Sequence, residues 1–236
     1  MTNKEKQRLK KIKFSSRVGF NSKLIDFRYK TLGVFFKGKR CLELGCADGK
    51  GTEYLVPYFE QIVAVDGSKK LIDDLKRQIK SKKVVTCISL FEEYTPRRKF
   101  DTIIVGHILE HVRNPVLILK RTKKWLKKNG VILIDVPNAN SLHRQAGVKM
   151  GLLKNCTDLN EADKRIGHRR VYTIETLKRD IKKAGFKIKK SGGIFLKPLS
   201  NQQIEETWNE KMINAFYELG KKYQEIAAEI YAVCVL

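Results

Sequence analysis

The sequence predicts an α/β fold, a doubly wound and mostly parallel sheet, and three observations carry that prediction. From Arg40 onward, apolar runs too short for helices alternate with amphipathic segments, the rhythm of a parallel sheet with helices on both faces. The first run, Arg-Cys-Leu-Glu-Leu, stops in a small-residue turn that includes Gly45, Ala47 and Gly49. The second run ends in a carboxylate, Asp66, followed by Gly67 and Ser68.

Taken in order, residues 1–13 are a basic charge run, read as a solvated tail, with anionic lipid or RNA as the alternative contact. Residues 23–36 carry Leu24, Ile25, Phe27, Leu32, Val34 and Phe35, expected as a helix over the sheet edge that roofs the crevice at the strand ends, with Arg28 able to reach a ligand there. Strands are expected over 40–44, 61–65, 84–89, 100–105 and 131–136, with helices near 51–59, 68–80 and 115–128. Ser68 and Asn114, the latter followed by Pro115, are expected N-caps. Asn129 and Gly130 are expected to end the third of these helices in a left-handed cap.

After Pro137 the rhythm breaks. Residues 138–170 are long for a connection and rich in His, Arg and Asn, which reads as a lid, with a helix over 142–153, above the carboxyl ends of the strands. An amphipathic helix over 173–184, strands over 186–190 and 229–235, and a helix over 201–223 complete the chain. The last helix is expected to bury Ile204, Trp208, Met212, Phe216 and Leu219. The chain reads as one domain: a helical arm (1–38), a binding core (39–137), a lid (138–172) and a C-terminal completion of the sheet (173–236).

Lys and Arg number 49 against 25 acidic residues, a formal net charge of +24. That excess points to an anionic partner, against which stands a lysine-rich solvated surface, and no basic stretch interleaved with aromatics favours nucleic acid. The five cysteines show no metal-like spacing and read as reduced residues of a cytoplasmic protein. No 18-residue apolar run marks a membrane span.

The turn after the first strand lets backbone N–H groups approach a ligand at a helix N-terminus, and Asp66 at the tip of the second strand can accept hydrogen bonds from a ribose. A nucleoside-bearing small molecule fits both. Leu42-Glu43-Leu44-Gly45-Cys46-Ala47-Asp48-Gly49, then Val65-Asp66, Phe100-Asp101, Leu109-Glu110-His111-Val112 and Asn129-Gly130 together resemble the class I S-adenosylmethionine-dependent methyltransferases, closest to the ubiquinone-type and small-molecule O-methyltransferases. The resemblance implies a Rossmann-like sheet whose last strand returns antiparallel. It also implies S-adenosylmethionine as cofactor, with S-adenosylhomocysteine as product.

On that likeness, Gly45, Ala47 and Gly49 underlie the methionine portion, Glu43 faces its ammonium, and Asp66 with Gly67 takes the ribose. Ser89, Leu90 and Phe91 meet the adenine, and Gly106 exposes its backbone to the donor. The family has glycine where Ala47 stands, a substitution expected to need a negative φ there. His107, Glu110 and His111 fall where ubiquinone-type enzymes hold a divalent cation, with His107 replacing the first glutamate. His111 is otherwise a general base, or Glu110 and His111 merely buttress the loop. His143, Arg144, His168, Arg169, Arg170 and Tyr172 are expected to orient a hydroxylated or anionic acceptor, with His143 and His168 joining His111 as catalytic candidates. The activity so implied is O-methylation of a small molecule, sugar or glycan-linked hydroxyl, with an RNA methyltransferase or a catalytically inactive cofactor-binding scaffold as rivals.

Overall fold

The computed structural model describes residues 15–236, so the basic run at 1–13 lies outside the described residues. Its centre is a seven-stranded sheet in the order β3-β2-β1-β4-β5-β7-β6. The strands are β1 (Arg40–Leu44), β2 (Gln61–Asp66), β3 (Val84–Ile88), β4 (Phe100–Gly106), β5 (Leu126–Pro137), β6 (Lys187–Ile194) and β7 (Glu229–Val235). The first five are parallel. The final strand, β7, runs antiparallel between β5 and β6, as the resemblance implied.

Strand alternation splits the core into two layers. Leu42 and Leu44, Ile103 and Val105, and Ile132 and Ile134 face one layer, covered by α4 (Pro115–Trp125) and α7 (Ile174–Lys183). Cys41, Ile104, Leu133 and Val233 face the other, under α1 (Gly19–Leu32), α2 (Lys50–Leu55), α8 (Asn201–Thr207) and α9 (Glu210–Lys222). Because the side-chain period in a strand is two, Glu43, Asp135 and Glu229 fall on the α1 side with the second set. That placement decides where the polar chemistry lies.

Ser68 and Asn114 cap α3 (Lys69–Gln78) and α4 through bonds from Leu71 N–H at 3.4 Å and Leu117 N–H at 2.9 Å. Two expectations fail. Helix α4 stops at Trp125, and Leu126 already pairs with Phe100, so Asn129-Gly130 is not a helix cap. The next pair is Thr102 with Val131, which leaves residues 127–130 bulged opposite Asp101, with Lys127 Nζ 2.8 Å from its carboxylate. The helix expected over 201–223 breaks at Trp208, and Asn209 caps a new one by accepting from Met212 N–H at 2.9 Å. The break resets the helical phase, so Ile213, Tyr217 and Gly220 are buried while Met212 is 39% exposed.

The lid carries two short helices, α5 (Leu142–Lys149) and α6 (Glu161–Arg165). No helix among the described residues is long and apolar enough to cross a membrane.

Candidate active site at the strand tips

Glu43 and Asp66 come from neighbouring strands. Glu43 pairs with Ala64, two residues before Asp66, so both carboxylates rise on one face, and the charge of Asp66 is felt at Glu43. Glu43 is buried and already held: Oε1 accepts from the Tyr29 hydroxyl at 2.6 Å and Oε2 from Thr52 Oγ1 at 2.5 Å. Burial pushes its pKa up to about 7, the Coulombic effect of Asp66 adds to this, and the two hydroxyls oppose it. Asp66 accepts from Ser68 N–H at 2.8 Å and Ala47 N–H at 3.3 Å. Burial raises its pKa as well, against bonds from Ser68, Ala47 and Gly67.

Between them the turn winds through three left-handed residues, Gly45 at φ 76°, Ala47 at φ 47° and Gly49 at φ 90°. The expected negative φ at Ala47 is therefore wrong. The turn keeps its shape with a methyl in the left-handed region, a strain of about 1 kcal/mol that clusters at functional sites. A Cβ at Gly45, where φ is 76°, would meet the Ile108 Cδ1 methyl at 2.1 Å, so that side chain would have to move. Ser89 N–H donates to Asp66 O at 3.0 Å, and Phe91 packs against the core beside Gly45, so the end of the third strand lies next to Asp66 and the turn. Asp48 accepts from Ser15 Oγ at 2.8 Å and Ser16 N–H at 3.1 Å. The start of the described chain is thereby tied across the turn.

Gly106 ends β4, where a Cβ would stand 3.1 Å from Asp135 Oδ1. His107 follows in the left-handed region at φ 51°. Its Nε2 lies 3.1 Å from Glu229 Oε1 and 3.5 Å from Asp135 Oδ2, and its Nδ1 lies 3.5 Å from Glu110 Oε1. Arg28 does not reach outward. It grips Glu229 through Nη2 at 2.9 Å and Nε at 3.3 Å, and stands 2.6 Å from Asp135 without an aligned hydrogen bond. One guanidinium thus faces two carboxyls. Against the burial penalty, Arg28 and His107 bring Glu229 down to about 2, while burial lifts Asp135 to about 7. Burial, then Arg28, lowers His107 to about 4. Glu110 is fully buried with neither oxygen bonded, and burial holds its pKa well above the carboxylate range.

The lid closes over this cluster. His168 Nδ1 meets Asp163 Oδ1 at 3.1 Å, and its ring lies 4.7 Å from that of His111. His111 Nδ1 lies 3.3 Å from Gly167 O, a contact in which the ring nitrogen donates to the carbonyl. Arg144 is pinned by Asp163 at 3.0 Å and by the Cys156 carbonyl at 2.7 Å. Arg170 donates to the carbonyls of Leu109 at 2.7 Å and Val112 at 2.6 Å, and Arg169 donates to that of His111 at 2.8 Å. These arginines fasten the lid to the loop after β4. Tyr172 donates to Asp180 at 3.2 Å.

His143 is not part of the ring contact between His111 and His168; its backbone N–H donates to Lys197 O at 3.0 Å. The triple His107, Glu110, His111 does not converge as a ligand set. Potential ligand atoms instead gather as Glu110 with His111 and His168, and as His107 with Asp135 and Glu229, each within 4.8 Å. The second group already holds the Arg28 cation. His107 is therefore not brought together with Glu110 and His111 as a ligand set; His168 takes its place beside them.

The profile of a methyltransferase-domain family matches residues 18–191. The chain belongs to that family. In sequence it is similar to the ubiquinone biosynthesis O-methyltransferase of Pelagibacter ubique, 30% identical over 115 residues that cover 48% of each chain. The same-named enzyme of Bradyrhizobium diazoefficiens is 31% identical over 106 residues, 44% of this chain and 42% of that one. The chain thus spans about half the length of the curated relatives it matches. In fold it is similar to an S-adenosylmethionine-dependent methyltransferase from Mesorhizobium loti, with a TM-score of 0.63 at 12% identity over 89% of this chain and 99% of that one. The class I S-adenosylmethionine-dependent methyltransferase read from the motifs is accordingly the family found.

Proposed function

We propose that the chain transfers the methyl group of S-adenosylmethionine to a hydroxyl of a small-molecule, sugar or glycan-linked acceptor in the cytoplasm. The observation that carries the reading is the convergence of Glu43 and Asp66 on one left-handed turn, with a histidine cluster under the lid beside Gly106. Similarity to ubiquinone O-methyltransferases supports oxygen as the receiving atom, and five unpaired cysteines support the compartment.

When bound, S-adenosylmethionine would supply a methyl on a positive sulfur, with the neutral thioether as leaving group once the acceptor oxygen takes the methyl. Asp66 would hold the ribose hydroxyls and the Glu43 carboxylate the ammonium, with backbone N–H groups of Gly45 to Gly49 as further donors. The acceptor lies between Gly106 and the lid, where Arg169 and Arg170 fix the loop that carries His111. His111 takes the hydroxyl proton on Nε2 as the oxygen attacks, and the Gly167 carbonyl keeps the ring in that tautomer. His168, oriented by Asp163, packs edge-on against it. Glu110, uncharged and buried, faces the acceptor as a hydrogen-bond donor.

Labelled S-adenosylmethionine incubated with the protein and a panel of phenols, sugars, amines and RNA tests this. Label on a hydroxyl oxygen, with turnover lost and S-adenosylhomocysteine binding kept in His111→Ala, is expected. Full activity in that variant removes His111 from the reaction, and label on RNA replaces the acceptor class.

A further inference from the structure

Among the described residues, two buried polar atoms without a partner and an amine without an ion pair lie on segments that meet where the lid leaves the sheet. Ser141 is fully buried at the N-cap position of α5, yet its hydroxyl makes no cap bond and has no partner among the described residues. His143, in the first turn, buries an Nδ1 that is likewise unpartnered. The backbone N–H of His143 donates to the carbonyl of Lys197 at 3.0 Å, which brings that lysine alongside. Lys197 Nζ donates to Asn201 Oδ1 at 2.8 Å, and no carboxylate among the described residues lies within ion-pair distance of it.

The charges around Lys197 are already spoken for. Glu229 and Asp163 both act on it at longer range, but Glu229 is gripped by Arg28 and Asp163 by Arg144 and His168. Burial consequently lowers Lys197 to about 8 and His143 to about 3, with Arg144 adding to both. Buried polar atoms are normally satisfied, and those that are not ask for a ligand. An ammonium, a hydroxyl and an imidazole at a helix N-terminus make a donor set suited to an oxyanion.

We propose that Lys197, His143 and Ser141 form a subsite for an oxyanion, the carboxylate or phosphate of the same acceptor molecule whose hydroxyl is methylated. Glu229, beside His107, and Asp163, beside His168, both act electrostatically on Lys197, which relates the subsite to the reacting cluster. An acceptor anchored at Lys197 therefore extends toward the cluster after β4. This assignment rests on the methyl-transfer reading, since it places the anion on the methyl acceptor.

Carbon NMR of the full chain with labelled lysine ε-carbons, in complex with S-adenosylhomocysteine and at constant ionic strength, tests it. The Lys197 signal is assigned by its absence in Lys197→Met. Acetate or methyl phosphate is expected to shift that signal saturably and to raise its ionisation midpoint by about one pH unit, a tenfold preference for the charged form. Acetamide is expected to do neither. In His143→Gln and Ser141→Ala the anion should bind several-fold more weakly, with thermal melting showing that both variants fold. The stronger of the two anions names the group. A signal that neither anion moves, or that acetamide moves equally, overturns the subsite. Failure to bind S-adenosylhomocysteine would instead strike the methyl-transfer reading.

Discussion

The Tyr29 hydroxyl donates to Glu43 Oε1 at 2.6 Å, both groups buried, so a residue of α1 supports the carboxylate at the end of β1. Removing that hydroxyl in Tyr29→Phe leaves Glu43 short of one partner, at a cost of about 1 to 3 kcal/mol for a bond to a charged group. The variant should melt lower and bind S-adenosylhomocysteine more weakly near neutral pH, as calorimetry would read. Unchanged affinity would mean that Glu43 does not face the ammonium.

Burial holds Glu43 at about 7, above the 4.5 of an ordinary glutamate. The sign follows from linkage. The protonated form is favoured in the fold, so this group's contribution to stability is present below pH 4.5 and lost as pH rises toward 7. Pairing with a cofactor ammonium needs the ionised form, so cofactor binding below pH 7 must release a proton. Affinity for S-adenosylhomocysteine should fall by up to about tenfold per pH unit below 7. Calorimetry in two buffers of different ionisation enthalpy would detect the proton.

Ala47→Gly removes the strain of a left-handed alanine, about 1 to 2 kcal/mol, against an entropic cost of about 0.5 to 1 kcal/mol for glycine. The variant should be slightly more stable and still bind the cofactor. Gly49→Ala should lose more than this gain, because φ is 90° and its Cβ would sit 2.8 Å from Leu75 Cγ. Urea midpoints for both would separate the two effects.

Arg170 holds the loop after β4 by three carbonyl bonds, to Leu109, Val112 and Arg113. Arg170→Ala should therefore lower turnover by about tenfold or more through misplacement of His111, while leaving cofactor affinity near the wild-type value. A parallel loss of cofactor binding would contradict the division of the site into donor and acceptor halves.

Burial keeps His143 neutral, at about 3 against 6.5 unfolded. The unfolded chain takes up a proton below 6.5 that the fold refuses, so stability is lost as pH falls from 6.5 toward 3. Between pH 7 and 5 the loss is about 2 kcal/mol. Compared with wild type, His143→Gln should show a flatter pH dependence of its urea midpoint over that range.

Much of this site was legible in the sequence because its parts are local. The turn from Gly45 to Gly49, Asp66 at a strand tip and the caps at Ser68 and Asn114 each follow from a few adjacent residues, and the bounds of β1 and β7 agree with their apolar runs. The polar cluster was not legible in this way. Asp135 sits inside an apolar run, Val131 to Val136, and Glu229 opens another. Their partner Arg28 is 201 residues from Glu229 along the chain. An acid within a buried strand was the one available signal. Lys197 offered none, since only the fold brings it beside His143. The broken C-terminal helix was hidden because its apolar spacing continues across Trp208, whereas the cap at Asn209 starts a new helical phase.

The central claim is that the turn between Glu43 and Asp66 holds S-adenosylmethionine. Calorimetric titration of wild type and Asp66→Ala with S-adenosylhomocysteine measures it most directly. One-to-one binding to wild type, weakened about a hundredfold in Asp66→Ala by loss of two charge-assisted ribose bonds worth about 3 kcal/mol together, is the predicted result. Equal binding to the two proteins, or none to a folded wild type, would contradict it.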